Sequence, residues 1–219
     1  MPRRLNLPDS AAVATPDTGG KLHAPSAARN AEAIADLLAE IAPQNGAALE
    51  LASGTGQHAV TLAARLPGLH WQPTEINAAR RASIDAYAAE AGLSNLAPAI
   101  SLDATAPGWG ADHTGKSLIV LINLLHLISA PEARTLITEA ANALASGGLL
   151  MIYGPFLRDE EFASDGDAAF HQSLRAQDPD IGYKSDFDVL DWGMEAGLEV
   201  AHVVEMPANN LSLVWRRPS

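Results

Sequence analysis

The stretch Ala48-Leu49-Glu50-Leu51-Ala52-Ser53-Gly54-Thr55-Gly56-Gln57-His58 is the part of this chain that decides its fold. Its apolar first half is typical of a buried strand, and its glycines are typical of a tight turn that leads into a helix. Glycine at the tip of a strand lets the backbone approach a ligand, and the helix that follows presents free N–H groups. The stretch predicts the entrance to a nucleotide-type pocket. Glu50, just before the turn, indicates a ligand with a positively charged end.

Predicted strands and helices alternate along most of the chain. Strands are predicted at residues 47–51, 69–75, 97–102, 117–125, 149–153, 198–205 and 211–216. This alternation is typical of βαβ units, which build a parallel sheet covered by helices on both faces. The last two strands are joined by five residues, Met206-Pro207-Ala208-Asn209-Asn210, a connection that suits an antiparallel hairpin and cannot hold a crossover helix. We therefore expect a Rossmann-like α/β fold with a seven-stranded, mostly parallel sheet and an antiparallel last strand.

The 219 residues show no composition shift that would divide them into two domains. We expect a flexible N-terminal segment at residues 1–25 and a single domain at residues 26–219. Residues 158–184 are polar, acid-rich and outside the strand–helix rhythm. We interpret them as a lid inserted over the pocket, and they are called the lid segment below.

The composition excludes several classes of function. A formal net charge of −12 argues against binding to nucleic acid or to an anionic membrane surface. Because the chain has no cysteine, disulfides, thiolate metal ligands and cysteine nucleophiles are excluded. The longest apolar run, residues 118–128, is too short to span a bilayer. We expect a cytoplasmic protein. We also expect no metal site, since loop acids such as Asp165 and Asp167 are usually solvated.

Two classes of ligand remain open for the glycine turn. The letters from Gly54 to Ala59 also fit the dinucleotide fingerprint G-x-G-x-x-A, with Glu75 at a suitable distance to bind a ribose. Glu50 favours an aminoacyl ammonium over a pyrophosphate, which it would repel. The turn has no basic residue to hold a phosphate, which also disfavours a pyrophosphate. The terminal hairpin disfavours a dinucleotide-binding domain, which ordinarily lacks one.

Together these residues resemble the class I S-adenosylmethionine-dependent methyltransferases. The resemblance implies that the turn residues Ala52, Ser53, Gly54 and Gly56 bind S-adenosylmethionine, whose product is S-adenosylhomocysteine. It also implies roles for residues that follow the strands: Glu75 on the ribose hydroxyls, Asp103 with Ala104 beside the adenine, and Asn123 near the methyl donor. Ala52 departs from the glycine that many members have at the first position of the turn.

The chain resembles one branch more closely, the methyltransferase-like 26 family, also called domain of unknown function 938. The matching strings are Ala28-Arg29-Asn30, Ala52 through His58, Trp71-Gln72-Pro73, Ile122-Asn123 with His126, Tyr153-Gly154-Pro155 and Met206 through Asn210. This resemblance implies the fold and the cofactor but no substrate.

Methyl transfer needs an aligned nucleophile, a base if that nucleophile carries a proton, and exclusion of water. His126, just beyond the fourth strand, is our candidate base, with Tyr153 as a second catalytic candidate. Asn209 and Asn210 are candidates for contact with the acceptor, although they also suit a turn.

On the cofactor side, Arg29 with Asn30 is expected to bind the carboxylate of the donor and to form a clamp with Glu50. His58 is expected to line the cleft or to cap the helix that it opens.

The sequence thus predicts an S-adenosylmethionine-dependent methyltransferase with a small-molecule acceptor. Two alternatives stay open: a protein of the same fold that binds the cofactor or a partner without catalysis, and an NAD-dependent oxidoreductase. The oligomeric state and the methylated atom are not predicted.

Overall fold

The computed structural model of this chain describes residues 14–219. Its strands are β1 (Thr15–Pro16), β2 (Leu22–His23), β3 (Gly46–Leu51), β4 (Leu69–Pro73), β5 (Lys116–Ile122), β6 (Leu144–Pro155), β7 (Glu199–Met206) and β8 (Asn210–Arg216). Its α-helices are α1 (Pro25–Ile41), α2 (Gln57–Arg65), α3 (Ala78–Ala91), α4 (Trp109–Asp112), α5 (Ala130–Ala143), α6 (Asp165–Gln177) and α7 (Asp186–Glu195). Short 3-10 turns lie at Thr18–Gly20 and Leu125–Leu127.

The central sheet has six strands in the order β4-β3-β5-β6-β8-β7. Strands β4, β3, β5 and β6 run parallel, and β8 runs antiparallel to both β6 and β7. The chain goes outward from β3 to β4 and then returns to the other side of β3 to form β5, so the strand order reverses there. Ligands of doubly wound sheets bind outside the carboxyl ends of the strands at such a reversal. The predicted fold class and the antiparallel last strand are confirmed.

Helices cover both faces of the sheet, as predicted. Successive residues of a strand point to opposite faces, and Ala48 of β3 packs in a different core from its neighbour Leu49. One core joins the sheet to α4, α5 and α7, and the other joins it to α1 and α2. Across residues 14–219, no helix has both the length and the apolar character needed to cross a membrane.

The prediction of seven strands is wrong by one. The predicted strand at residues 97–102 is replaced by two isolated bridges beside β4: Leu96 bridges Trp71, and Ile100 bridges Thr74, just after β4. Pro98 has no N–H to give to the ladder. The next amide, Ala99 N, donates instead to Asp85 Oδ1 of α3 at 2.8 Å. The segment occupies the place of a seventh strand without its regular hydrogen bonds.

Residues 14–24 lie against the helices that follow the glycine turn. Leu22 N donates to Ser83 Oγ of α3 at 2.7 Å, and Ala24 N donates to Gln57 Oε1 of α2 at 2.6 Å. These bonds belong to the second half of the segment predicted to be flexible. Its first half, residues 1–13, lies outside the described residues.

Gly56, the N-cap of α2, allows the turn to approach α3 closely. Its φ is 100°, and a Cβ added to it would lie 2.7 Å from the Cα of Ile84. Gly92 at the end of α3 is a matched control, because its φ is 62° and a Cβ there meets nothing within 4 Å.

We predict that Gly92→Ala costs about 1 kcal/mol, the conformational penalty alone, whereas Gly56→Ala costs about 3 kcal/mol or more because α3 must also shift. Urea unfolding of both variants measures the difference. Equal losses would show that α3 does not constrain the turn.

Candidate functional site

The turn between β3 and α2 is held in a left-handed backbone conformation at three residues. Ala52, Gly54 and Gly56 have φ values of 50°, 59° and 100°. Glycine adopts this conformation readily, but it costs about 1 kcal/mol at Ala52. Ser53 fastens the turn to the end of β4, because its N donates to Thr74 O at 2.8 Å. Strain kept in place by surrounding bonds is typical of functional sites.

Glu75 joins the glycine turn to the loop after β4. Its side chain accepts from two backbone amides, Gly54 N at 3.1 Å on Oε2 and Asn77 N at 3.0 Å on Oε1. The residue is buried. Among the described residues, a Cβ added to Gly54 would meet no atom closer than 4.0 Å, so the turn is open on that side of Gly54. The structure thus brings Glu75 and Gly54 together at the carboxyl ends of two adjacent parallel strands.

Glu50 takes a different position from the one that the predicted clamp with Arg29 requires. Its side chain is buried on the face of the sheet that packs on α1 and α2, and Oε2 accepts from Trp71 Nε1 at 2.7 Å. Arg29 is exposed on α1. Burial raises the pKa of Glu50 to about 8, although the bond from Trp71 opposes this shift. The side chain is therefore mostly neutral at pH 7 in this structure.

Asp103 and Ala104 form a turn after the irregular seventh segment. Asp103 Oδ1 accepts from Thr105 N at 3.0 Å and from Thr105 Oγ1 at 2.6 Å. Ala104 is buried, and its carbonyl accepts from Trp109 Nε1 at 3.1 Å. Asp103 therefore caps its own turn through Oδ1.

Asn123 and Tyr153 are adjacent at the carboxyl ends of β5 and β6. Asn123 N donates to Tyr153 O at 2.9 Å, and Asn123 has a φ of 56°. Its side chain is only half buried. A second strained, non-glycine residue thus lies at this edge of the sheet, next to the reversal of strand order.

His58 and Asn30 form a buried pair between α2 and α1. His58 Nε2 lies 2.8 Å from Asn30 Oδ1. Burial raises the pKa of Tyr153, and the Asn30 side chain opposes this shift. Burial lowers the pKa of His58 to about 4, so its ring is neutral at pH 7. The structure therefore brings together three residues that the sequence assigned to different roles.

His126 lies in the 3-10 turn after β5, beneath the lid segment. Its ring packs edge-on against Phe170 and Tyr183, with ring centroids 5.8 and 6.2 Å away. Among the described residues, buried Nδ1 has no hydrogen-bond partner. Burial, and then the charge of Lys184, lower the pKa of His126 to about 3. The candidate base is a neutral imidazole with one unsatisfied nitrogen.

The lid segment is fastened over His126 by contacts that the sequence did not reveal. The Tyr183 ring packs edge to face with Phe170 and His171 and tilted against Phe162, and Phe162 packs edge to face with His171. Lys184 is buried, and its Nζ donates to Gly182 O at 2.9 Å and to Ile128 O. The rings lie at irregular spacings across a loop and a helix, so no sequence period indicates that they cluster.

The two asparagines of the terminal hairpin face different partners. Asn209 Nδ2 donates to Asp167 Oδ2 of α6 at 3.0 Å, and Asp167 Oδ1 accepts from the Tyr183 hydroxyl at 3.0 Å. Asn210 Nδ2 donates to Pro207 O and Ala208 O within its own turn. Asn209 therefore ties the hairpin to the lid segment, and Asn210 stabilises the turn.

The site thus has two parts. Glu75, the glycine turn and Asp103 follow β3, β4 and the seventh segment, whereas Asn123, His126 and Tyr153 follow β5 and β6. Trp71, the partner of Glu50, was named from the sequence only as part of the string Trp71-Gln72-Pro73. Its indole N–H is the feature that the sequence analysis missed, since the β3–β4 register needed to pair them is not visible in the sequence.

The fold is that of the class I S-adenosylmethionine-dependent methyltransferases. An O-methyltransferase family protein from Burkholderia thailandensis superposes with a TM-score of 0.74 at 19% identity, over 86% of this chain and 56% of its own. Human N-acetylserotonin methyltransferase in complex with S-adenosylmethionine superposes with a TM-score of 0.68 at 12% identity, over 86% of this chain and 52% of its own. This chain spans about half the length of these neighbours, and at such identities the likeness establishes a shared fold.

Residues 21–217 match the family described as "Protein of unknown function (DUF938)", and the chain belongs to that family. This confirms the resemblance stated from the sequence strings. It leaves activity, cofactor and acceptor to be argued from the site.

We predict that Glu50 makes stability fall as pH rises. Its pKa is raised from 4.5 in the unfolded chain to about 8 in the fold, so folding takes up a proton between these values. Stability from this group is highest below pH 4.5 and is lost progressively toward pH 8, by on the order of 4 kcal/mol.

Glu50→Gln keeps an acceptor for Trp71 and removes the titration. We expect its melting temperature to exceed that of the native chain at pH 8 and to approach it at pH 5. A difference in melting temperature between the two proteins that does not change with pH would show that Glu50 is ionised in the fold.

Proposed function

We propose that this chain is an S-adenosylmethionine-dependent methyltransferase that acts on a small-molecule acceptor. The observation that carries the proposal is the position of Glu75. Its carboxylate lies against an open glycine turn at the reversal of strand order, where the parallel strands leave room for a ligand.

The residues of the first part of the site fit this cofactor. Glu75 and Gly54 offer a carboxylate and an open backbone edge for the ribose hydroxyls, and Asp103 with Ala104 is assigned to the adenine. Ala52, Ser53 and Gly56 shape the turn that would face the amino-acid portion, with Asn123 beyond it. When bound, the cofactor supplies an electrophilic methyl group on a sulfonium centre.

Glu50 is assigned to the ammonium of the cofactor and His58 to the lining of the cleft, whereas Arg29, exposed on α1, and Asn30, paired with His58, lie apart from the predicted clamp. The buried carboxyl is neutral at pH 7 in this structure, so this role requires it to ionise when a cation approaches. A negatively charged pyrophosphate would not be stabilised by an ionised Glu50. The same argument disfavours an NAD-dependent oxidoreductase.

The second part of the site is assigned to the acceptor. His126 offers an unsatisfied Nδ1, buried beneath the lid segment, to accept a hydrogen bond from an acceptor O–H or N–H. Tyr153 lies at the end of the next strand, and the rings of the lid segment exclude water. Asn209 and Asn210 stabilise the lid and the hairpin beside it, and they reach an acceptor only if the lid opens.

A specific observation favours the alternative of a silent binding protein. A histidine whose pKa is about 3 is a weak base, because proton transfer is most effective when the pKa lies near the working pH. Catalysis therefore requires the acceptor or lid opening to change the surroundings of His126. Without that change, the fold binds its cofactor and transfers nothing.

Cofactor binding is the first test. We predict that calorimetry detects binding of S-adenosylmethionine and of S-adenosylhomocysteine, and that Glu75→Gln weakens both at least tenfold because one carboxylate oxygen becomes an amide. Glu40→Gln, a change at an exposed acid on α1, is the matched control and should leave both affinities unchanged.

Absence of binding by the native chain would overturn the proposal, and stronger binding of NADH would revive the oxidoreductase. Circular dichroism of Glu75→Gln separates a lost contact from a lost fold.

Catalysis is the second test. In a screen of small-molecule acceptors that measures formation of S-adenosylhomocysteine, we predict turnover by the native chain and at least a hundredfold less by His126→Gln. The dissociation constant for S-adenosylmethionine should change less than twofold. Undiminished turnover would remove His126 from the mechanism, and no turnover with any acceptor despite cofactor binding would favour the silent binding protein.

A further inference from the structure

The two ends of the lid segment, residues 158–184, are joined to each other just beyond β6. Leu157 N donates to Lys184 O at 2.9 Å, and Asp186 N donates to Leu157 O at 3.0 Å. Leu157 also forms an isolated parallel bridge with Ser185. These backbone contacts are called the lid base below. The lid segment therefore leaves the sheet and returns to it at one place, which is the geometry of a flap that moves about its base.

The far side of the lid segment is held by side chains. Asn209 Nδ2 of the terminal hairpin donates to Asp167 Oδ2 of α6 at 3.0 Å, and this hydrogen bond is called the latch below. Asp167 Oδ1 accepts from the Tyr183 hydroxyl at 3.0 Å, and the Tyr183 ring lies 6.2 Å from that of His126. Asn209 is exposed, so water competes for the latch. One carboxylate thus connects the hairpin to a ring that covers His126.

The closed lid leaves several buried polar atoms without partners. Among residues 14–219, the buried side-chain atoms that lack a hydrogen bond are His126 Nδ1, Arg158 Nε, Ser185 Oγ and Ser212 Oγ. The first lies beneath the lid segment, and the next two lie at its base. A buried polar atom without a partner costs free energy, which is recovered when water or a ligand reaches it. These atoms therefore oppose the latch and the packed rings, which favour closure.

Backbone strain occurs on both sides of the latch. Asp159 and Glu160 follow the lid base with φ values of 50° and 65°, and Ala208 and Asn209 form the hairpin turn with φ values of 57° and 60°. They are four of the six non-glycine residues with positive φ that the structure describes. Strain kept in place by surrounding contacts is typical of clamps and switch regions. Its position indicates that the latch holds together two segments that each store strain.

We propose that the lid segment is a two-state flap that the latch keeps closed, and that its opening about the lid base exposes His126 to the acceptor. The inference rests on the proposed function, because it treats His126 as part of the acceptor site. It deepens that function by assigning control of access to Asp167 and Asn209. Asn209 thus acts on the lid segment instead of making the acceptor contact expected from the sequence.

Chemical modification tests access to His126 without cofactor or acceptor. Diethyl pyrocarbonate reacts with a neutral imidazole nitrogen that solvent reaches, and mass spectrometry of peptides gives the rate at each histidine. His126 is neutral and 6% exposed, whereas His70 on β4 is exposed. In the native chain we expect His126 to react at least tenfold more slowly than His70. Equal rates would show that the lid segment does not cover His126, and would overturn the inference.

Two substitutions of Asn209 break the latch and suit its left-handed backbone. Asn209→Gly removes the side chain, and Asn209→Asp places a like charge against Asp167. We expect His126 to react at least threefold faster in Asn209→Gly and faster still in Asn209→Asp, with the rate at His70 unchanged. Asn45→Asp, at an exposed loop position, controls for the added charge and should behave as the native chain. Native rates at His126 in both Asn209 variants would overturn the inference.

Hydrogen exchange at the Gly182 amide is a second readout, because Gly182 N donates to His126 O at 3.0 Å. Its exchange should accelerate by the same factor as the modification of His126 in Asn209→Gly. Tyr183→Phe keeps the ring but removes its bond to Asp167, so it should accelerate both reactions as well. Faster exchange with unchanged modification would mean that opening does not expose His126, which contradicts the inference. If S-adenosylmethionine does not bind, the proposed function fails, while these two readouts still decide the latch.

Discussion

The bond network between the glycine turn and the end of β4 is the constraint on which the rest of the site depends. Thr74 N donates to Glu50 O, and Ser53 N donates to Thr74 O. Glu75 Oε2 accepts from Gly54 N. These three hydrogen bonds join the end of β3 to the end of β4. This fixes the register in which Glu50 pairs with Pro73 and Trp71 with Ala48, so that the Trp71 indole reaches the Glu50 carboxyl diagonally. It also fixes the entry of α2, whose first turn carries His58 toward Asn30. A loose turn would leave all of these contacts unformed.

The sequence predicted the parts of the fold that depend on local periodicity and on glycine. The turn from Ala52 to Gly56, the acid after β4 and the terminal hairpin all lie where the sequence placed them, because their signals are contained in a few neighbouring residues. The prediction of a seventh strand was wrong because of a contact with a residue distant from the segment in sequence. Pro98 weakens the ladder from within the segment, but the competing acceptor for Ala99 N is Asp85, on a helix that ends earlier in the chain.

Side-chain direction was harder to predict than strand position. Glu50 was recognised as unusual, but its carboxyl lies against an indole from the neighbouring strand, and only the β3–β4 register reveals that partner. The cover over His126 was likewise invisible, since Phe170 and Tyr183 reach it from a segment without regular spacing. Roles that rest on one residue and its own element were predictable. Roles that rest on contacts across elements were not.

Burial shifts the ionisable groups of this site toward their neutral forms. The pKa of Glu50 rises to about 8, and those of His58 and His126 fall to about 4 and 3. The chain as a whole carries a formal charge of −12, which attracts a cation from a distance. Inside the site, neutral groups in a medium of low polarity do not screen that cation once it arrives. A positive centre bound there therefore acts strongly on nearby carboxyl groups, which is the condition under which a neutral Glu50 would ionise.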